Sequence, residues 1–269
     1  MLFFQFAYLF RQPGLEVRIH FSGILPAGSL YQKGETMNDF SRREFLGATA
    51  ALGVASMPTL STAFQGSSLP KAPDVAIPTL PAKLSKTESV GISMRTHETH
   101  LKLWQGYARK VNEIRGLLAA KTADPAVANQ IFSDMRSLKV DYTFAYQGLI
   151  NHNIYFDTVG GPGGNANGKV SDLINVAYGS FTNWAADWKA TGIAGRGWVY
   201  LAYDHEAKRV FNYIGDSQNS FPIWNHTCIL AMDVYEHAYF LDFQEKRAAY
   251  IDAYMKVIDW EAVNARLPK

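Results

Sequence analysis

The string Asp233-Val234-Tyr235-Glu236-His237-Ala238-Tyr239 sets a carboxylate and an imidazole four residues apart. That spacing aims both side chains at one point, and a hard or borderline cation such as iron or manganese accepts mixed oxygen and nitrogen donors of this kind. The same spacing equally fits an acidic residue at a helix N-terminus followed by an unrelated histidine. Spacing alone leaves both readings standing. Any bound metal must in either case be held by nitrogen and oxygen. The single cysteine, Cys228, excludes an internal disulfide, a CxxC redox pair and the thiolate cage of structural zinc.

Composition narrows the setting. The 269 residues are 48% hydrophobic and 13% aromatic, enough for one or two packed cores. No run approaches the roughly 20 apolar residues of a membrane-spanning helix. The net charge of +2 is unclustered, with no basic stripe interleaved with aromatics, which argues against a nucleic-acid partner.

DVYEHAY resembles the DxWEHAY signature of the iron/manganese superoxide dismutase family, and the downstream LDFQEKRAAYIDAYMKVIDWEAV is similar to that family's C-terminal helix pattern. Asn151-His152-Asn153-Ile154-Tyr155-Phe156 resembles the family's NHxxFW. Gly179-Ser180-Phe181 and Gly195-Arg196-Gly197-Trp198 resemble its GSF and GSGW segments, in the same order. Ile77-Pro78-Thr79-Leu80-Pro81 resembles its LPALP opening, and Ile92-Ser93 with Glu98-Thr99-His100 resembles its first-ligand segment. The resemblance runs from residue 77 to residue 263.

The resemblance implies a mononuclear iron or manganese ion held by His100, His152, Asp233 and His237, with a coordination position left open for catalysis. It implies disproportionation of superoxide to dioxygen and hydrogen peroxide. It further implies a homodimer through Glu236 and His237, and a glutamine that hydrogen-bonds the metal-bound solvent. Gly148 stands where some members carry that glutamine on the ligand helix. Gln218 stands at the alternative place ahead of the aspartate, an arrangement that resembles the manganese-type enzymes and favours manganese. His226, in Trp224-Asn225-His226-Thr227, copies the second-ligand motif but falls where the family has an apolar strand, and is read as a decoy. His20, His97 and His205 form no second constellation, and His97 and His205 are expected to be exposed.

Departures cluster around the first ligand. The family follows it with further histidines and a gateway tyrosine, whereas Leu101 to Tyr107 contains no histidine. Tyr107, the candidate gateway residue, comes seven residues after His100 rather than eight, and one residue turns a helical side chain by about 100°. Ala108 occupies the family position. Phe240 replaces the tyrosine of HAYY, so both members of the gateway pair are missing together. Their joint loss is consistent, since a buried phenol without its partner costs about 1 to 3 kcal/mol. Tyr235, Phe156 and Tyr200 replace tryptophan at three aromatic positions. These changes motivate an alternative reading, a dismutase-like metal-binding protein with slow or different redox activity.

The elements that must position these groups follow from periodicity. Residues 95–120 carry Leu103, Tyr107, Val111, Ile114 and Leu118 at helical spacing. Asp124-Pro125 is a start signal for a helix over residues 126–138, and a further helix is expected over 141–156, bounded by the glycine run 160–164. A helix is expected over 171–190, then a hairpin of strands 198–203 and 209–214, a third strand over 227–232 and helical spacing from 235 to 257. The fold class is α+β: a helical N-terminal part over residues 89–160, built as a long antiparallel hairpin, and a C-terminal α/β part over 165–269 with a small three-stranded antiparallel sheet.

Ahead of the domain, residues 41–46 read SRREFL and lead into a short weakly apolar run, similar to a twin-arginine export signal over residues 37–63. Small residues at Ser61 and Ala63 place the expected cleavage after Ala63, giving an exported protein, periplasmic or extracellular. Residues 64–88 read as a tether in which the fold starts near Ile77. Residues 1–36 show no periodicity and read as an upstream extension ahead of a start at Met37.

Overall fold

In the computed structural model, which describes residues 70–121, 123–221 and 223–269, Ser93 opens the first long helix by accepting the Thr96 backbone N–H on its Oγ at 3.2 Å. The expected signal peptide, the residues before it and the start of the tether lie outside the described residues. Helix α1 spans Met94–Ala120 and buries Thr96, His97, His100, Trp104, Ala108, Val111 and Ile114. Of the expected stripe, Val111 and Ile114 are buried and Tyr107 and Leu118 are half-buried, but Leu103 is 40% exposed and Trp104 faces inward instead. Trp104 stacks on Phe156 at 4.5 Å and donates its indole N–H to Asn153 Oδ1 at 2.7 Å, a combination Leu103 cannot match.

The same stripe corrects the expectation that His97 is exposed. It is fully buried, with the Thr87 hydroxyl 2.8 Å from its Nε2. His205, by contrast, is half-buried beside the Thr227 hydroxyl. Burial, reinforced by His100 and opposed by Asp242, lowers the His97 pKa from 6.5 to about 4. Between those values the unfolded chain binds the proton that the folded chain excludes, so stability falls as pH falls from 6.5 toward 4. Urea titrations of the metal-free protein should lose on the order of 3 kcal/mol of unfolding free energy over that range through this residue. His97→Gln should flatten the profile by the same amount; an unchanged slope would remove His97 as the cause.

Residues 125–127 make only a 3₁₀ turn, and the second long helix, α2, runs Asp134–Thr158. The expected separate helices over 126–138 and 141–156 are thus corrected to one. Asn129 Oδ1 accepts the backbone N–H groups of Ile131 and Phe132, holding a turn ahead of the cap residue Ser133. No proline lies between Ser133 and the helix end at Thr158. Contacts of Arg115 with Tyr142 and of Trp104 with Asn153 show α2 running back along α1. Order also begins earlier than Ile77: Val75 exchanges two hydrogen bonds with the Asn112 amide, and Arg115 reaches the Pro73 carbonyl.

In the C-terminal part the expected helix over 171–190 is two, α3 (Gly168–Tyr178) and α4 (Phe181–Ala194). Gly179 breaks them at φ +79°, and Ser180 caps the second through the Asn183 N–H. Strands β1 (Trp198–Asp204), β2 (Arg209–Gly215) and β3 (His226–Asp233) form an antiparallel sheet in the order β2-β1-β3. The register pairs Trp198 with both Gly215 and Asp233, so the central strand starts at the site. The expected helical span over 235–257 resolves into a 3₁₀ turn at Glu236–Ala238, α5 (Phe240–Phe243) and α6 (Arg247–Met255), followed by α7 (Trp260–Ala265).

Candidate metal centre

Four residues from three remote stretches of chain converge. His100 comes from α1, His152 from α2, Asp233 from the end of β3 and His237 from the 3₁₀ turn behind it; His100, His152 and Asp233 are fully buried. Asp233 Oδ2 lies 3.1 Å from His100 Nε2, 3.1 Å from His237 Nε2 and 3.7 Å from His152 Nε2. All four donor atoms lie within 4.8 Å of one another. Donors bonded to one ion at about 2.1 Å stand roughly 3.0 to 3.6 Å apart at angles of 90° to 120°, so these spacings suit a shared cation.

Local structure fixes which atom each residue offers. His152 directs Nδ1 at the carbonyl of Gly148, one turn back, at 2.6 Å. That contact makes Nδ1 the donor and leaves the Nε2 lone pair facing the cluster, where this buried nitrogen has no hydrogen-bond partner among the described residues. An orphaned buried acceptor beside a carboxylate is the observation that a cation answers. Asp233 uses Oδ1 to accept the Tyr235 backbone N–H at 2.9 Å, which turns Oδ2 inward.

Electrostatics prepare the same set. Burial, and secondarily His100, lowers the His152 pKa to about 3, and burial lowers that of His100 as well. Both rings are therefore neutral at physiological pH, as ligands must be. Burial also acts to lower His237, but the Asp233 carboxylate outweighs it and the net shift is upward. Burial opposes ionisation of Asp233, yet His237 and His100 hold its carboxyl well below the ordinary range.

Around the cluster, Tyr107 lies with its ring 5.3 Å from that of His152, despite arriving one residue early along α1. Gly148 makes this possible, since a Cβ there would sit 2.8 Å from the Tyr107 ring. Ala108, at the expected family position, is buried in the core. Burial and the nearby Asp233 raise the Tyr107 pKa to about 12, while a hydrogen bond with Gln218 opposes the rise. Gln218 is buried, and its Oε1 accepts the Trp198 indole N–H at 3.2 Å. Because indole only donates, the contact orients the amide and leaves Nε2 as its donor end.

A sequence model of the family described as iron/manganese superoxide dismutases, C-terminal domain, matches residues 166–266. A superoxide dismutase [Fe] of Aquifex aeolicus is 37% identical over 185 residues, covering 66% of this chain and 85% of that protein. A superoxide dismutase [Fe] of Cupriavidus metallidurans is 34% identical, covering 69% and 91%. A superoxide dismutase [Mn] of Halobacterium salinarum is 31% identical, covering 63% and 82%.

The chain belongs to the iron/manganese superoxide dismutase family.

Seen as a member of that family, the chain shows where its substitutions act. Phe240 is 48% exposed next to Leu241, also 48% exposed, on the face where His237 is part open. Phe156 fills the space between Trp104 and His100. Tyr235 stacks on the His237 ring at 5.3 Å, over Gly197, whose missing Cβ leaves room for it. His226 stands apart from the cluster, half-buried at the start of β3 with Nε2 2.9 Å from the Tyr213 hydroxyl. Sequence reasoning missed Asn151 as a support: its Nδ2 donates to the Gln218 carbonyl at 3.0 Å and its Oδ1 accepts from Gln147 at 2.8 Å. Its position immediately before His152 was the available signal.

Proposed function

We propose that the protein is an exported superoxide dismutase that holds one iron or manganese ion through His100, His152, Asp233 and His237. The observation carrying this reading is the buried convergence of three imidazole nitrogens on one carboxylate oxygen, with the His152 Nε2 unpartnered among the described residues. The bound ion would supply reversible one-electron chemistry, oxidising one superoxide to dioxygen and reducing a second, with two protons, to hydrogen peroxide. The protein's part is to hold and deliver protons without flooding the site. The Tyr107 phenol, with its pKa at about 12, stays protonated at neutral pH and serves as a donor. Gln218, anchored by Trp198 and Asn151, presents its Nε2 on the same side. With no histidine between Leu101 and Tyr107, the proton-bearing groups of this reading are Tyr107 and Gln218.

Manganese is our choice of metal, on the placement of the glutamine at 218 with glycine at 148; relatives named for each metal occur. A homodimer is supported by Phe240 and Leu241 exposed beside Glu236 and the half-open His237, a face that a second copy would cover. Sedimentation as a monomer at micromolar concentration would remove the dimer. Export is supported by SRREFL and the small residues at 61 and 63. Protein recovered from the cell envelope should begin at Phe64, and purely cytoplasmic full-length protein would remove the signal.

Purified protein should contain close to one iron or manganese per chain and consume superoxide in proportion to that content. Stoichiometric metal without turnover would reject the dismutase reading in favour of a slower redox or storage role, to which the missing gateway pair would then belong.

A further inference from the structure

From His152 a continuous run of aromatic rings leads away from the metal centre across the sheet. His152 meets Trp198 edge-on at 5.2 Å between centroids, and Trp198 stacks on Tyr200 at 6.0 Å with planes 10° apart. Tyr200 meets Tyr213 at 4.8 Å, and Tyr213 meets His226 at 5.4 Å. Sheet geometry explains the first links. Trp198 and Tyr200 are two residues apart on β1 and share a face, and the register sets Tyr213 directly opposite Tyr200. The chain ends at a cavity of about 630 Å³ walled by Tyr142, Tyr146, Tyr213, Trp224 and His226, with Trp224 87% exposed at its edge. Neither Tyr213 nor His226 takes part in the proposed dismutation.

The last pair has the chemistry of a redox site. A phenol that loses an electron becomes a strong acid and must shed its proton, which needs a neutral base at hydrogen-bond distance. His226 Nε2 is 2.9 Å from the Tyr213 oxygen. Burial, with His205 adding and Asp204 opposing, keeps the His226 pKa below its ordinary value, so the ring is neutral and able to accept. Burial holds the Tyr213 phenol protonated until it is oxidised.

We propose that Tyr213 and His226 form a proton-coupled one-electron redox site, connected to the metal pocket through Tyr200 and Trp198, which draws oxidising equivalents away from the metal ligands and passes them to a small phenolic reductant in the cavity. The oxidant is hydroxyl radical, which a ferrous ion held in the pocket would generate by giving one electron to hydrogen peroxide, leaving the ion ferric and hydroxide as the second product; the inference rests on the proposed activity only for that ion and that peroxide. Hydroxyl radical in the pocket takes one electron and becomes hydroxide. The electron leaves Tyr213 by way of Tyr200 and Trp198, the Tyr213 O–H bond breaks, and its proton forms an N–H bond at His226 Nε2. A neutral tyrosyl radical then stands beside an imidazolium. A phenol in the cavity gives a hydrogen atom to the Tyr213 oxygen and leaves as a phenoxyl radical. His226 releases its proton, which meets the hydroxide as water.

Iron-loaded protein mixed with hydrogen peroxide and freeze-quenched should give a tyrosyl signal by electron paramagnetic resonance. The signal should vanish in Tyr213→Phe, which keeps the ring and its packing, weaken several-fold in Tyr200→Phe, and decay several-fold faster when phenol is added. Superoxide turnover, measured on the same samples, should be unchanged in Tyr213→Phe. A signal that survives Tyr213→Phe, or its absence from the parent protein, would overturn the redox site whatever the turnover. Loss of turnover in the parent with the Tyr213 signal intact would overturn the dismutase reading alone.

Discussion

Asp233→Asn should release the metal and abolish superoxide turnover together while leaving the metal-free fold intact. The substitution preserves shape, and an asparagine Oδ1 still accepts the Tyr235 N–H that anchors this side chain at the end of β3. What it removes is the negative charge, and it places an amide N–H₂ where Oδ2 now faces three imidazole nitrogens. That group donates where the ion needs a donor of electrons, and it offers hydrogens to the neutral rings of His100 and His152. Altering residues that only support a ligand costs roughly 10- to 100-fold in metal affinity or activity. Losing a ligand together with its charge should exceed that, so the purified variant should hold less than about a hundredth of the parent's metal at limiting supply. His152→Ala should behave alike, since it deletes the unpartnered Nε2. Elemental analysis gives the metal content, and the melting temperature of the two metal-free proteins separates ligation from folding. Stoichiometric iron or manganese in either variant would sink the assignment of that residue as a ligand.

The sequence carried the local half of this site more clearly than the remote half. Asp233 and His237 are four residues apart, so spacing alone brings them together. His100 and His152 reach them only through the packing of α1 on α2 and of both on β3, which no periodicity encodes; resemblance to a family supplied those two. The three strands were legible as short aromatic and β-branched runs between polar turns, and their observed bounds differ from the expected ones by one residue at most. Helix ends were less legible, because a single side-chain contact decides them. Asn129 holds a turn that delays α2, and Gly179 at φ +79° splits what hydropathy runs together. The buried stripe of α1 departs from the expected one only at its start, at Leu103, and for a different reason. Apolar spacing selects Leu103, whereas His97, His100 and Trp104 are the residues that carry the buried face of Val111 and Ile114 back to the helix start. Polar side chains with partners belong to a core stripe when those partners are buried with them, as the Thr87 hydroxyl is with His97.

The glycine run bounds the two parts in sequence, and the structure makes it the seam that joins them. The N–H groups of Gly160 and Gly161 both donate to the Val257 carbonyl, at 2.8 and 2.9 Å, and that of Gly163 donates to Ile258 at 3.1 Å. Asp259 answers by donating its N–H to Thr158 at 2.8 Å, while its carboxylate accepts from Lys83 at 2.7 Å. This seam pins the C-terminal end of α2, the helix that carries His152. Gly163→Ala should therefore be among the most damaging single methyl additions in the chain. A Cβ there would lie 1.9 Å from the Lys256 carbonyl oxygen, a backbone atom that cannot swing aside, and the residue sits at φ +65°. Left-handed strain costs about 1 to 3 kcal/mol and overpacking a similar amount again. A loss of about 3 kcal/mol or more corresponds to a fall of roughly 10 °C in melting temperature for a domain of this size. Gly164→Ala provides the control, because φ there is +76° but nothing lies within 4 Å of the new methyl group. It should bear the strain alone and lose only about half as much. Scanning calorimetry of the metal-free proteins measures both without metal binding entering the comparison. If the two variants melt within a degree or two of each other, backbone conformation and not the closeness of the seam sets the cost, and α2 is held to the C-terminal part by its side chains instead.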